Sequence, residues 1–230
     1  LPILAIDTAT LVSSVAIATQ DTLVAELTIQ TRKTHSERLM PHIASLLSMA
    51  EMTQNSIKAV AVSIGPGSFT GLRIGLATAK AMAYALHIPL IGVPTLAALA
   101  FSCPVPGVVL APMLDAQKEN VYLGLYEWQN DSVCELQPPQ VVPFTAAKAE
   151  LDKMERPALM LGEAAVMHKE DIAHPVPPHV IMPRAGSVAA MAQAMYARGI
   201  RHDIATLEPL YIRRSEAEVL WERRHSGACQ

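Results

Sequence analysis

The sequence predicts an α/β chain folded as two similar lobes, each a sheet covered by helices. Three observations carry that prediction: consecutive strand-like runs near the start, a glycine-rich loop joining a buried strand to a helix, and a second apolar run near residue 108 that ends, like the first, in an aspartate. A chain of 230 residues is long enough for two small cores of this kind.

Residues 3–6, 12–18 and 22–29 are apolar or alternating runs separated by short polar turns, which is the pattern of an antiparallel meander. Thr34-His35-Ser36-Glu37 then makes a capping box, in which Thr34 caps a helix and Glu37 reaches back to the cap's own N–H, so a helix runs from there to about residue 50. A buried strand over 59–64, a glycine-rich loop over 65–71 and a helix from 69 or 70 to 86 follow. Strand 90–93 and helix 95–101 complete the first lobe. The order β-β-β-α-β-α-β-α is that of the ribonuclease H-like unit from which actin-like (ASKHA) proteins build each lobe.

From residue 108 the pattern starts again. Residues 108–114 end in Asp115 as 3–6 end in Asp7, and 121–128 follow as the return strand, an internal repeat. Pro138, Pro139, Pro143, Pro157, Pro175, Pro177 and Pro178 are expected to break the rest of this half into short elements. A last helix is expected from a Ser187 cap to a Gly199 stop. Beyond Pro209 lies an arginine-rich tail, with Arg213, Arg214, Arg223 and Arg224, that packs back or stays mobile. The division read from this pattern is a first lobe over 1–103 and a smaller, degenerate lobe over 104–230.

Composition narrows the function. A net charge of -3 and a pI near 6.2 argue against unaided binding to nucleic acid, which needs clustered positive charge to neutralise phosphates. Cys103, Cys134 and Cys229 form no CxxC pair and leave an odd thiol, so neither a disulfide framework nor a zinc site is indicated and a reducing cytoplasm is expected. The chain opens on a strand-like run without a secretory n- and h-region. Its most apolar stretch, 81–101, is interrupted by His87, Pro89 and Pro94 and reads as core rather than as a membrane span.

The strongest local signal runs from Ser63 to Gly75: strand, Gly65-Pro66-Gly67 loop, helix start. A helix N-terminus with free amides can dock an anion, while a tight strand-to-helix turn requires the same glycines for its dihedrals. It is not a Walker loop, because Arg73 stands where a Gly-Lys-Ser/Thr ending is required, and not a nucleophile elbow, because Pro66 and Thr70 flank Ser68. Asp7 follows a strand and precedes the turn Thr8-Ala9-Thr10, which has no glycine to let phosphate approach. Asp7, Thr8, Gly65, Pro66, Gly67 and Asp115 are therefore candidates for a vestigial nucleotide site, with Asp7 and Asp115 alternatively capping turns.

Within the second helix Gly71, Gly75, Ala79 and Ala83 recur every fourth residue and make a smooth ridge that permits close helix approach. In the first helix Leu39, Ile43, Leu46, Leu47 and Ala50 form a stripe that Met40 and Ala44 widen. Either the two helices bury each other and a third helix, or they form a partner surface. His35 and His42, seven residues apart, are separated by roughly 10 Å along the axis, too far to share a metal ion. No other histidine pair has metal-site spacing, so no metal or cofactor is expected.

Ile6-Asp7-Thr8, His35-Ser36-Glu37 with Leu39-Met40-Pro41, the run Gly65-Pro66-Gly67-Ser68-Phe69-Thr70-Gly71-Leu72-Arg73, Asp115-Ala116 before Glu119-Asn120-Val121-Tyr122, and Pro209-Leu210-Tyr211-Ile212-Arg213 together resemble the TsaB (YeaZ) family. The match spans almost the whole chain in order. That resemblance implies a non-catalytic, actin-like subunit in the biosynthesis of tRNA threonylcarbamoyladenosine (t6A), paired with its metal-bearing paralogue TsaD, with the ATPase TsaE docking on the heterodimer and tRNA reached through the complex. It implies partner contacts through the two helices, at His35, Leu39, Met40, His42, Ile43, Leu46 and Leu47 and at Gly71, Leu72, Gly75, Leu76, Ala79, Met82 and Ala83, and a homodimer through the same helices in isolation. On that reading Gly75→Leu wedges the helices apart and blocks the heterodimer. Competing readings are a peptidase and a nucleotide-binding, sugar-kinase-like enzyme. Arg198, Arg201, Arg213 and Arg214 either assist an RNA contact or form a solvated face.

Overall fold

The computed structural model describes residues 1–30, 35–172 and 180–213, with all their side chains except those of His35 and Asp171. The Thr34 cap predicted for the first helix lies outside the described residues. Strands β1 (Ile3–Asp7), β2 (Val12–Ala18) and β3 (Leu23–Gln30) form the antiparallel meander, and α1 (His35–Met49) follows. Then come β4 (Ala59–Gly65), α2 (Phe69–Leu86), β5 (Leu90–Pro94) and α3 (Thr95–Phe101). The first sheet has the order β3-β2-β1-β4-β5, with β1 parallel to β4 and β4 parallel to β5.

Both faces of this sheet are covered, which is why β1 reads as an unbroken apolar run rather than an alternating one. On one face Leu4, Ile6, Val60 and Val62 pack against Leu39, Ile43 and Leu46 of α1 and Leu76, Ala79 and Ala83 of α2. On the other, Ile3, Ala5, Ala59 and Ala61 meet Ala98 of α3 and the last helix, α6 (Ala185–Ala197).

The second half repeats the design with β6 (Val109–Asp115), β7 (Asn120–Gln129), β8 (Ser132–Pro143), α4 (Phe144–Leu151), β9 (Ala158–Leu161) and α5 (Glu163–Met167). Its sheet order, β8-β7-β6-β9, reproduces β3-β2-β1-β4 with the same parallel and antiparallel pairings. Helices α4 and α5 cover one face. On the opposite side α3 presents Leu96, Leu99 and Ala100 to Leu110, Leu114 and Tyr126, so a helix of the first lobe also closes the second. The chain thus has the two-lobed, duplicated ribonuclease H-like architecture of the actin-like fold. No helix among the described residues is long and apolar enough to cross a membrane.

Three local expectations are corrected. Pro138, Pro139 and Pro143 do not fragment the second half: all lie within the single strand β8, which pairs with β7 on one side only, so a missing N–H can face away from the ladder. The register shift between Leu123 and Leu125 absorbs Pro138 and Pro139. Helix α6 starts at Ala185, not at Ser187, which donates its own amide to the Arg184 carbonyl. Its first amides are instead capped from the first sheet: Ala185 N–H donates to Ser14 Oγ at 2.9 Å and Gly186 N–H to Glu26 Oε1 at 2.9 Å. Gly199 does end the helix, at φ +82° in a Schellman turn in which Ile200 N–H donates to the Met195 carbonyl. Finally, α6 and the segment after it belong with the first sheet although a division at 103–104 assigns them to the second lobe: His202 bridges to Leu90 and its Nδ1 accepts from Gly92 N–H at 3.1 Å.

Candidate functional site

The β1–β2 turn and the Gly65–Gly71 loop meet at one end of the first sheet. Asp7 is completely buried there. One carboxylate oxygen accepts from Ala9 N–H at 3.2 Å, closing an Asx turn, and the other accepts from Ser63 Oγ. Thr8 is also buried and donates its hydroxyl to the Gly71 carbonyl at 2.8 Å. The loop glycines are explained by this packing. A β-carbon on Gly71 would lie 2.0 Å from the Thr8 carbonyl oxygen, and one on Gly67 would lie 2.3 Å from the Ala9 carbonyl oxygen. Gly65, at φ +117°, faces the Leu210 carbonyl, which a β-carbon would approach to 2.7 Å. Ser68 caps α2 by accepting from Gly71 N–H at 3.3 Å, and its own amide donates to the Ala9 carbonyl at 2.7 Å.

The residues proposed for a vestigial nucleotide site are therefore divided. Asp7, Thr8, Gly65 and Pro66 are buried beneath the turn and the C-terminal segment, whereas Gly67 and Asp115 line the open space between the lobes. That space is a cleft of about 800 Å³. Its first-lobe wall carries Ala9, Leu11 and Phe69 with Arg73, and its second-lobe wall carries Asp115, Tyr122 and Glu163. Tyr211 stacks on Phe69 with centroids 4.4 Å apart and accepts at its hydroxyl from Arg73 Nε at 2.9 Å, while the Arg73 guanidinium lies 4.0 Å from the Phe69 centroid. Leu210 N–H donates to the Ile64 carbonyl at 2.6 Å, and Arg213 donates to the Ala116 carbonyl. Residues 210–213 thus tie one lobe to the other across the cleft.

Burial pushes the Glu163 carboxyl above its ordinary value; the Asp115 backbone N–H, 3.4 Å away, opposes this and the Asp115 charge adds to it. Tyr122 is also pushed up by burial, against the nearby Arg213 guanidinium and with the Asp115 carboxylate. Sequence reasoning missed Ser63, Arg73, Glu163 and Tyr211 as members of these two clusters. Their partners are remote in the chain, and only the packing of the lobes brings them together. No group of three His, Cys, Asp or Glu among the described residues is placed to hold a metal ion.

The helix pair also sorts differently from the sequence reading. Leu39, Ile43 and Leu46 of α1, and Leu72, Leu76, Ala79 and Ala83 of α2, are buried in the chain's own fold. Gly71 and Gly75 are buried against the β1–β2 turn, and a β-carbon on Gly75 would meet Thr8 Oγ1 at 2.3 Å. His42 is buried, its Nδ1 3.1 Å from Ser13 Oγ. The small ridge of α2 thus lets the helix sit tightly on its own sheet, and these residues belong to the chain's own core. Gly75→Leu strikes this packing before it reaches any partner. The His35 side chain lies outside the described residues. Of the sequence-predicted contacts, Met40 is 53% exposed and Leu47 and Met82 are half-buried. The outward face is formed instead by Met40, Ala44, Ser45, Ser48 and Met49 of α1 and by Ala77, Ala81, Tyr84 and Ala85 of α2, with Tyr84 72% exposed. A second run of alanines, at 77, 81 and 85, was the signal for it.

Comparison with known proteins agrees with the architecture. A family model described as TsaD, tRNA N6-adenosine threonylcarbamoyltransferase, matches residues 22–221. The tRNA threonylcarbamoyladenosine biosynthesis protein TsaB of Bacillus subtilis is 33% identical over 226 residues, covering 95% of this chain and 97% of that protein. The protein of the same name from Escherichia coli is 28% identical over 242 residues, covering 96% and 97%. Among solved structures, YeaZ from Pseudomonas aeruginosa superposes with a TM-score of 0.75 at 26% identity, covering 91% of this chain and 99% of that one. A second structure, described as an uncharacterized protein similar to peptidase YeaZ from Pseudomonas aeruginosa, gives 0.77 at the same identity, covering 92% and 99%.

Proposed function

The chain belongs to the TsaB (YeaZ) family, and from that membership we propose that it is a non-catalytic subunit in t6A biosynthesis, holding the catalytic subunit TsaD and giving TsaE a place to dock. The observation that carries this reading is the outer face of α1 and α2. These helices lie on the same face of the first sheet, and beyond the side chains they bury there they present Met40, Met49 and Tyr84, set among Ala44, Ala77, Ala81 and Ala85. A face with small residues along α2 and flexible methionines along α1 suits another helix pair. Met40, Met49 and Tyr84 are the large apolar side chains that a partner would cover on this face. In isolation the same face pairs with a second copy, which makes the homodimer and the heterodimer exclusive.

The cluster at Asp7 supports a non-catalytic role. Its carboxylate already takes donors from Ala9 and Ser63, the amide of Ser68 is bonded to the Ala9 carbonyl, and Ser68 Oγ caps α2. The groups that would cradle a phosphate or act as a nucleophile are thus bonded within the chain. A cytoplasmic location goes with this role, since tRNA and the partner subunits work there.

Reconstitution tests the proposal. TsaD, TsaE, threonylcarbamoyl-adenylate and tRNA are combined with and without this chain, and t6A is quantified by mass spectrometry of nucleosides. Modification that depends on the added chain is expected. Equal t6A without it would overturn the assignment, and peptide hydrolysis by the purified chain, lost on Ser68→Ala, would replace it with a peptidase.

A further inference from the structure

We propose that residues 210–213 are an interlobe strap that fixes the width of the cleft, so that the two lobes move as one body. This goes beyond the reading of the helix face and does not depend on it. The rest of the expected arginine-rich tail, from Arg214 onward, lies outside the described residues.

The lobes are joined at two separate places. One is α3, whose Leu96, Leu99 and Ala100 enter the second-lobe core while its Ala98 enters the first. None of the described residues that line the cleft belongs to α3, so this joint lies away from the cleft. A single joint of that kind leaves a hinge, and hinged lobes close around ligands. A second joint set off the hinge removes the freedom, and residues 210–213 supply one from within the cleft lining.

Both ends of the strap are built into place. On the first lobe Leu210 N–H donates to the Ile64 carbonyl at 2.6 Å, and its carbonyl oxygen sits where a β-carbon on Gly65 would approach it to 2.7 Å. Only glycine admits the strap there. Tyr211 adds its stack on Phe69 and the hydrogen bond from Arg73. On the second lobe the half-buried Arg213 donates to the Ala116 carbonyl. That carbonyl belongs to a turn held at several points: Ala116 N–H donates to the Asn120 carbonyl at 2.9 Å, Gln117 N–H to Asp115 Oδ1 at 2.7 Å, and Asn120 Nδ2 to the Lys118 carbonyl at 3.0 Å. From Tyr211 to Arg213 the backbone spans at most about 7 Å, and only the arginine side chain adds to that reach. Opening the cleft further means releasing an anchor.

Spin labels on p-acetylphenylalanine at the exposed positions Gln20, Gln54 and Thr145 leave the native cysteines untouched. The Gln20–Thr145 and Gln54–Thr145 distances are read by double electron–electron resonance on the full chain, diluted with unlabelled chain so that only intramolecular pairs contribute. Two pairs sharing Thr145 keep a rotation about either label axis from passing unseen. Narrow distributions are expected for the parent. Arg213→Ala and Tyr211→Ala, which remove one anchor each, are expected to lengthen and broaden at least one distribution by several ångströms while the circular dichroism stays that of the parent. Arg201→Ala is the control, since its guanidinium donates to the Tyr196 and Ile200 carbonyls at the end of α6, and it should match the parent. Broad distributions in the parent, or distributions unchanged in either strap variant, overturn the proposal. So does equal broadening in Arg201→Ala, because the loosening is then general.

Discussion

Thr8 and Gly71 lock the β1–β2 turn to the start of α2: the Thr8 hydroxyl donates to the Gly71 carbonyl at 2.8 Å, and the Thr8 carbonyl oxygen fills the place a β-carbon on Gly71 would take. The obstacle is backbone on both sides, so neither element can yield by a rotamer change. Gly71→Ala is expected to destabilise the chain by about 1–3 kcal/mol, the usual cost of overpacking a close contact, read as a lowered urea midpoint at unchanged slope. A variant as stable as the parent would show that the turn and helix are not held this way.

Ser63 supplies a hydroxyl to the buried Asp7 carboxylate from the neighbouring strand β4. Ser63→Ala removes a hydrogen-bond donor from a fully buried carboxylate and is expected to cost roughly 1–3 kcal/mol. Thermal unfolding measures it. Ser63→Thr keeps the hydroxyl and should recover part of the loss; equal melting of all three proteins would remove Asp7 from the list of structural supports.

The elements that the sequence disclosed are those whose signals are local. The meander, the Gly65 loop and the end of α6 at Gly199 each depend on residues adjacent in the chain. What escaped has its cause elsewhere. The amides of α6 are capped by Ser14 and Glu26 from the far end of the sequence, so the nearby Ser187 was a false signal. Prolines 138 and 139 suggested a broken chain because only the sheet order reveals that β8 is an edge. In α2 two small ridges, 71-75-79-83 and 77-81-85, are equally regular, and periodicity alone does not say which faces the sheet. The closeness of Thr8 to Gly71 and Gly75 decides it.

Glu163 ties the pH response to the cleft. Because burial raises its carboxyl above 4.5, the folded chain holds this proton more tightly than the unfolded chain does. Stability is therefore lost as pH rises from 4.5 through the raised folded value, and above that the deficit is constant. Glu163→Gln, which keeps an oxygen to accept from Asp115 N–H, is expected to be more stable than the parent at pH 7. The advantage should shrink to nothing as the pH falls below 4.5. Urea midpoints across that range check it, and an advantage that grows toward acid pH would contradict the sign.

The outer face of α1 and α2 can be tested without touching the core. Met40 and Ala81 are exposed and lie on different helices, so Met40→Glu and Ala81→Arg are expected to change stability by no more than about 0.5 kcal/mol. Each places a charge where a partner helix must dehydrate it, and an unpaired charge in a packed interface has no compensating contact. Both variants should lose co-elution with TsaD and should shift the isolated chain toward monomer in sedimentation. Gly75→Leu is the contrasting control: it acts on the packing against Thr8, so any loss of partner binding there should come with a lowered melting temperature. The surface pair separates the two causes, because a partner contact made elsewhere would leave binding intact in Met40→Glu and Ala81→Arg at undiminished stability.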